Sequence, residues 1–138
     1  MAENAERIGP LIGRIFLSVI FILAGLGKIG DWSGTAGYMA SRGMPAIPLF
    51  LTLAIVFEVL GGFSLLLGFK TKIGALALFL SLVPVTLIFH NFWTYPEAQQ
   101  QIQMIMFLKN LAIMGGLLTL AAAGPGPLSL DARRGSQG

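Results

Sequence analysis

The chain has 138 residues, 55% of them hydrophobic and 11% charged, whereas a soluble domain carries about 25% charged residues and one this short leaves too much surface exposed to hide so many apolar side chains. A mean hydropathy of +0.80 points to lipid as the solvent. With no cysteine, a single histidine (His90) and nine basic residues spread along the chain for a net charge of +3, the sequence offers no disulfide or CxxC pair, no metal site, no histidine pair for a haem and no nucleic-acid face.

Four apolar stretches, at about 11–29, 48–69, 73–92 and 102–123, each approach the roughly 20 residues that cross a hydrocarbon core of about 30 Å. They predict an all-α integral membrane four-helix bundle, with residues 1–138 as one domain. The first stretch is long for the apolar region of a signal peptide and lacks a small-x-small cleavage site, so it reads as a span. Pro48 falls near the start of its helix, where a missing N–H is tolerated. Pro84 falls inside the third and should kink it, and Gly124 to Pro127 end the fourth.

Orientation follows from the flanking cations. Arg7, Arg14, Lys70, Lys72, Arg133 and Arg134 lie on one side, Lys28 and Arg42 on the other, and Lys109 within a span. Both termini are therefore expected in the cytoplasm, with Lys70-Thr71-Lys72 as a tight cytoplasmic turn. The first outward connection should hold a short helix capped by Ser33 or Asp31, running through Tyr38 and Met39 and ending at Gly43. Trp32, Tyr38 and Met39 should anchor it at the headgroup level, and Trp93 and Tyr95 of the other outward connection suit the same aromatic belt.

Several polar residues interrupt the spans. Glu58 falls about ten residues into the second, near the midplane, where a charge costs about 2.5–3.5 kcal/mol and needs a partner, a proton or water. Lys109 enters the fourth span to a similar depth, so a Glu58–Lys109 ion pair is expected, with a neutral Glu58 bonded to a backbone carbonyl as the rival. Lys28, His90 and Asn110 share this outer half, and Gln99, Gln100, Gln101 and Gln103 add amides at its mouth. The opposite half is Leu, Phe, Ala and Gly. The expectation is one outward-facing pocket lined by Lys28, Glu58, His90, Lys109 and Asn110. Each also has a plainer role: snorkelling, capping or bridging helices. Gly25, Gly27, Gly61, Gly62, Gly115 and Gly116 would let the helices approach closely around it.

Three runs carry a family resemblance: FILAGLGKIGDW in the first span, FEVLGGFSLLLGFKTKIGAL across the second and its turn, and FLKNLAIMGGLLTLA in the last. Together with His90-Asn91-Phe92-Trp93 they resemble, in order, the DoxX family of small membrane proteins. That resemblance implies a four-helix protein of the bacterial cytoplasmic (inner) membrane, similar to the small subunit of thiosulfate:quinone oxidoreductase or to subunits of membrane oxidoreductase complexes. It carries interest over to Lys28, Glu58, His90, Lys109 and Asn110.

Two functions are then expected from different classes. The first is a quinone-linked membrane subunit of a redox complex. In it Lys109, Asn110 and His90 donate to a quinone, Glu58 carries a proton, and electrons come from the substrate or a protein partner, since no flavin, haem or metal motif is visible. The alternative is a non-enzymatic scaffold that anchors partner proteins in the bilayer. Small-solute transport is weakened by the apolar cytoplasmic half. No residue is assigned a catalytic role.

Overall fold

The computed structural model describes residues 1–135. Six α-helices follow in order: α1 (Ala2–Gly30), α2 (Trp32–Ser41), α3 (Ile47–Leu67), α4 (Thr71–Phe89), α5 (Glu97–Ala123) and α6 (Leu130–Gly135), with a 3₁₀ turn at Phe92–Thr94 before α5. No strand occurs among the described residues. Four of these helices, α1, α3, α4 with its 3₁₀ extension, and α5, are long and apolar enough to cross a membrane. Helices α1 and α5 start well before the expected apolar stretches, because polar residues such as those of Glu97–Gln101 prolong a helix once it is nucleated. Pro84 sits within α4, which continues through it to Phe89.

Neighbouring spans run antiparallel; α3 and α4 are joined by a tight turn, α4 and α5 by the 3₁₀ turn, and α1 and α3 by a longer connection that holds α2. The hairpin between α3 and α4 closes through Gly68 (φ 66) and Lys70 (φ 48), both left-handed. The outer helix α2 starts where the Asp31 side chain accepts from the Gly34 amide at 3.1 Å. It ends at Ser41, and Gly43, two residues further on with a φ of 75, lets the chain turn back. Of the two expected caps, Asp31 is the one used.

Helix α1 lies along α3, α3 along α4, and α4 along α5. The α1–α3 crossing is close because of two glycines. A Cβ on Gly62 would sit 2.6 Å from Ile22 Cγ1 and 3.3 Å from the Ser18 carbonyl oxygen, and one on Gly25 would sit 2.6 Å from Val59 Cγ2. Gly27 and Gly115 have open space instead. The core is a cluster of Phe21, Leu65, Ala75, Leu78, Leu82, Met114, Leu117 and Leu120. Outside it the usual order of a soluble protein is reversed. Phe16, Leu23, Leu60 and Leu80 are exposed, whereas Arg14, Ser18, Thr71, Thr86 and Asn110 are buried. Such a surface requires lipid.

Arg14 is the largest departure from the sequence reading, which placed it among the flanking cations. Its side chain is 1% exposed. Nε donates to the Pro125 carbonyl (3.0 Å), Nη1 to Leu65 (2.8 Å) and Leu66 (3.1 Å), and Nη2 to Leu128 (2.5 Å). One planar fork thus ties the end of α3 to the segment after α5, satisfying carbonyls that a helix end leaves without partners. Asp131 completes this clasp. Its carboxylate accepts from the Lys70 amide (2.7 Å), the Thr71 amide (2.9 Å) and the Thr71 hydroxyl (2.8 Å), capping α4 from sixty residues away. Burial alone would raise the Asp131 carboxyl. The bonds from Thr71 and Lys70, with Arg134 nearby, outweigh it and hold the carboxyl below its ordinary value.

Candidate functional site

At the end of the bundle opposite the clasp, α1, α2, α3 and α4 surround a cavity of about 400 Å³. Its walls are mostly apolar, with Leu23, Ala24, Leu51, Ala54, Val85 and Phe89. Its polar groups are Lys28, Asp31, Thr35, Tyr38, Glu58 and His90.

The buried residues of α1, Arg14, Ser18, Phe21 and Gly25, recur at helical spacing, and Lys28 continues the same stripe. On α3 the buried positions Leu51, Gly61, Gly62 and Leu65 bracket Glu58 on the same face. The two stripes meet at the glycine crossing, so Lys28 and Glu58 face each other. Lys28 Nζ donates to both carboxylate oxygens at 2.9 Å, with the side chains 26% and 16% exposed. Glu58 is therefore paired with Lys28, not with the expected Lys109 and not with a backbone carbonyl. Depth alone suggested Lys109, but direction around the helix decides. Asn110 points inwards, and the preceding residue is rotated by about 100°, which turns Lys109 onto the exposed outer face of α5. There its ammonium touches Met106 Sδ at 3.3 Å.

Asn110 is buried but outside the cavity, donating to Thr86 Oγ1 at 3.1 Å across the α4–α5 interface. His90 lines the cavity at the end of α4. Gln103 Oε1 lies 2.9 Å from its Nδ1, an amide oxygen that can only accept, so Nδ1 carries a proton and donates it to Gln103. Of the five residues singled out from the sequence, the structure thus brings Lys28, Glu58 and His90 to one cavity and sets Lys109 and Asn110 apart from it.

Sequence reasoning passed over the lid. Asp31, Thr35 and Tyr38 come from one face of α2, at spacings of four and three that signal a shared face. Tyr95 donates to the Phe89 carbonyl at 2.7 Å, leaving its oxygen to accept from Tyr38 at 2.8 Å. Burial, then the Tyr95 hydrogen bond, pushes the Tyr38 phenol up to about 12. The Arg42 guanidinium lies 4.3 Å over the Tyr95 ring and donates to the Asn91 side chain and to Thr94 Oγ1. Helix α2 is thereby fastened to the end of α4, closing one side of the cavity. Among the described residues, no group of three or more histidines and acids could hold a metal ion.

The fold and its site define a polytopic α-helical membrane protein with a polar cavity between its spans. The DoxX family model matches residues 9–91, and the SURF4 family model matches residues 51–136. This chain belongs to the DoxX family. The inner membrane proteins YqjF and YphA of Escherichia coli (strain K12) are each 38% identical to it over 129 residues, 94% of this chain and 94% and 92% of their own lengths. ER-derived vesicles protein ERV29 of Saccharomyces cerevisiae is 31% identical over 80 residues, 58% of this chain and 26% of its own length. No solved structure matches.

Proposed function

We propose that this chain is a one-domain membrane subunit of a redox complex whose cavity takes the headgroup of a quinone. Its place is the bacterial inner membrane, as the names of YqjF and YphA say of them. The basic hairpin and tail would face the cytoplasm and the cavity the outside. The observation that carries the reading is that the Lys28–Glu58 pair and His90 line one cavity whose walls are mostly apolar. A volume of about 400 Å³ lies within the usual range for small-ligand sites, about 300–1,000 Å³.

The residues fit such a headgroup. It needs an apolar slot, donors to its carbonyl oxygens in the oxidised form, and acceptors for its hydroxyls in the reduced form. An ammonium has three N–H groups, so Lys28 retains a donor after bonding both oxygens of Glu58. The Glu58 carboxylate, and His90 Nε2 when the ring is neutral, can each accept a hydroxyl and hold a proton. Electrons would enter from a partner chain, because the cavity offers no redox-active side chain besides the phenol of Tyr38.

The test is quinone content. The full chain, purified gently from native membranes, is expected to carry extractable quinone. Lys28→Met and Glu58→Gln should lose most of it, and His90→Phe a smaller share. A wild-type preparation free of quinone and unable to take up a short-tailed analogue would overturn the proposal. A second reading, a membrane anchor for partner proteins, draws on Lys109. Among the described residues no acid lies within ion-pair distance of it, and a carboxylate on a neighbouring chain would neutralise it.

A further inference from the structure

A second cavity, of about 560 Å³, lies towards the clasp end of the bundle in the groove between α3 and α4. Helices α3 and α4 approach closely along its floor. A Cβ on Gly61 would lie 2.6 Å from the Leu78 side chain, and one on Gly74 would run into Ser64. Leu60 and Ile73 on its rims are 66% and 67% exposed, so it opens sideways to the hydrocarbon. From Val56 to Leu67 it runs about 16 Å at 1.5 Å per residue, close to one leaflet, about half of a 30 Å core.

Its mouth is charged. Phe69 and Lys70 line the end of the groove. The Arg134 guanidinium stands 5.1 Å from the Phe69 ring centroid, and Lys70 Nζ stands 5.9 Å from it. Among the described residues the carboxylate nearby is Asp131, which accepts from the Lys70 and Thr71 amides and the Thr71 hydroxyl and offsets part of the Arg134 charge, leaving the mouth net positive. Two cations thus sit where the hydrocarbon gives way to headgroups, at the head of an apolar channel one leaflet long.

We propose that this groove is a binding site for an anionic phospholipid, with an acyl chain lying against Gly61 and Gly74 and the phosphate between Lys70 and Arg134. Charge complementarity selects the occupant: a zwitterionic lipid would bring its ammonium towards the same two cations. The site is separate from the polar cavity and does not depend on the quinone reading.

To test it, the full chain in a neutral detergent is mixed with equal amounts of phosphatidylglycerol and phosphatidylcholine bearing the same acyl chains, and bound lipid is counted by native mass spectrometry. The wild type is expected to retain phosphatidylglycerol in preference by about tenfold, as two cations beside an anionic headgroup allow. Combining Lys70→Asn with Arg134→Gln should bring the ratio near parity while helicity stays unchanged, because asparagine accepts the left-handed backbone at position 70. Ala77→Phe, which fills the groove, should lower retention of both lipids. Parity in the wild type, an unchanged preference in the double variant or undiminished retention in Ala77→Phe would each overturn the proposal.

Discussion

Replacing Lys28 by Met and Glu58 by Gln, singly and together, isolates the contact that organises the α1–α3 interface. The pair makes two charge-assisted bonds at 2.9 Å, with side chains 26% and 16% exposed. Unit charges about 4 Å apart attract by about 4 kcal/mol at an effective dielectric of about 20, and desolvation offsets much of that. Stranding one member of a fully buried pair costs about 3–5 kcal/mol. Partial exposure lowers the expectation here to about 2–3 kcal/mol for Lys28→Met. Glu58→Gln should cost less, because the long stem of Lys28 can carry a stranded ammonium towards the interface, whereas Glu58 is too short and too deep. The double variant should lose less than the sum, with a coupling of about 1–3 kcal/mol. The readout is SDS-driven unfolding in mixed micelles, followed by circular dichroism. The same cycle with Lys109→Met in place of Lys28→Met should be additive within about 0.5 kcal/mol, since Lys109 faces away. Coupling to Lys109 with none to Lys28 would refute the assigned pairing.

Arg14→Met should cost about 3–5 kcal/mol by stranding the carbonyls it binds. It should also make the tail cleavable by trypsin at Arg133, and Arg14→Lys should recover only part of the loss because an ammonium lacks the planar fork. Asp131→Ala should cost about 1 kcal/mol as a lost helix cap. Because its folded-state pKa is lowered, the contribution of Asp131 is complete at neutral pH and is lost as pH falls below about 4; a titration of stability should show an acid limb that Asp131→Ala removes. Tyr38 should ionise near pH 12 in an ultraviolet titration, with Tyr95→Phe bringing it down. Since the neutral phenol is favoured in the fold, that stabilisation is whole below about pH 10 and declines as pH rises towards the folded value.

The spans were legible because twenty apolar residues in a row have few other fates, and the outer helix because Asp31 and Gly43 are strong start and stop signals. The need of Glu58 for a partner was legible too, from an acid set inside an apolar span. The identity of the partner was not read from depth, but the helical wheel held it. Lys28 continues the stripe of Arg14, Ser18, Phe21 and Gly25, whereas Lys109 falls off the stripe of Asn110, Met114 and Leu117. Arg14 was hidden by its type: near a helix start an arginine normally flanks the membrane, and the carbonyls that bind it come from the end of α3 and the returning tail, both distant in sequence. The Asp131 cap on Thr71 spans sixty residues, a distance over which local pattern carries no information. The lid contacts, Tyr38 to Tyr95 and Arg42 to Asn91, depend on the packing of α2 against the end of α4, which no periodicity predicts.

The claim that the cavity between α1, α2, α3 and α4 holds a quinone headgroup is tested most directly by photolabelling. A short-tailed azidoquinone is added to the full chain in lipid nanodiscs, irradiated, and the labelled residues are located by mass spectrometry. Labels are predicted on the cavity wall, at or beside Lys28, Thr35, Tyr38, Glu58 and His90, and they should be displaced by excess unlabelled quinone and greatly reduced in Glu58→Gln. Labels confined to the outer face of α5, or spread over the lipid-facing surface without displacement, would contradict the account.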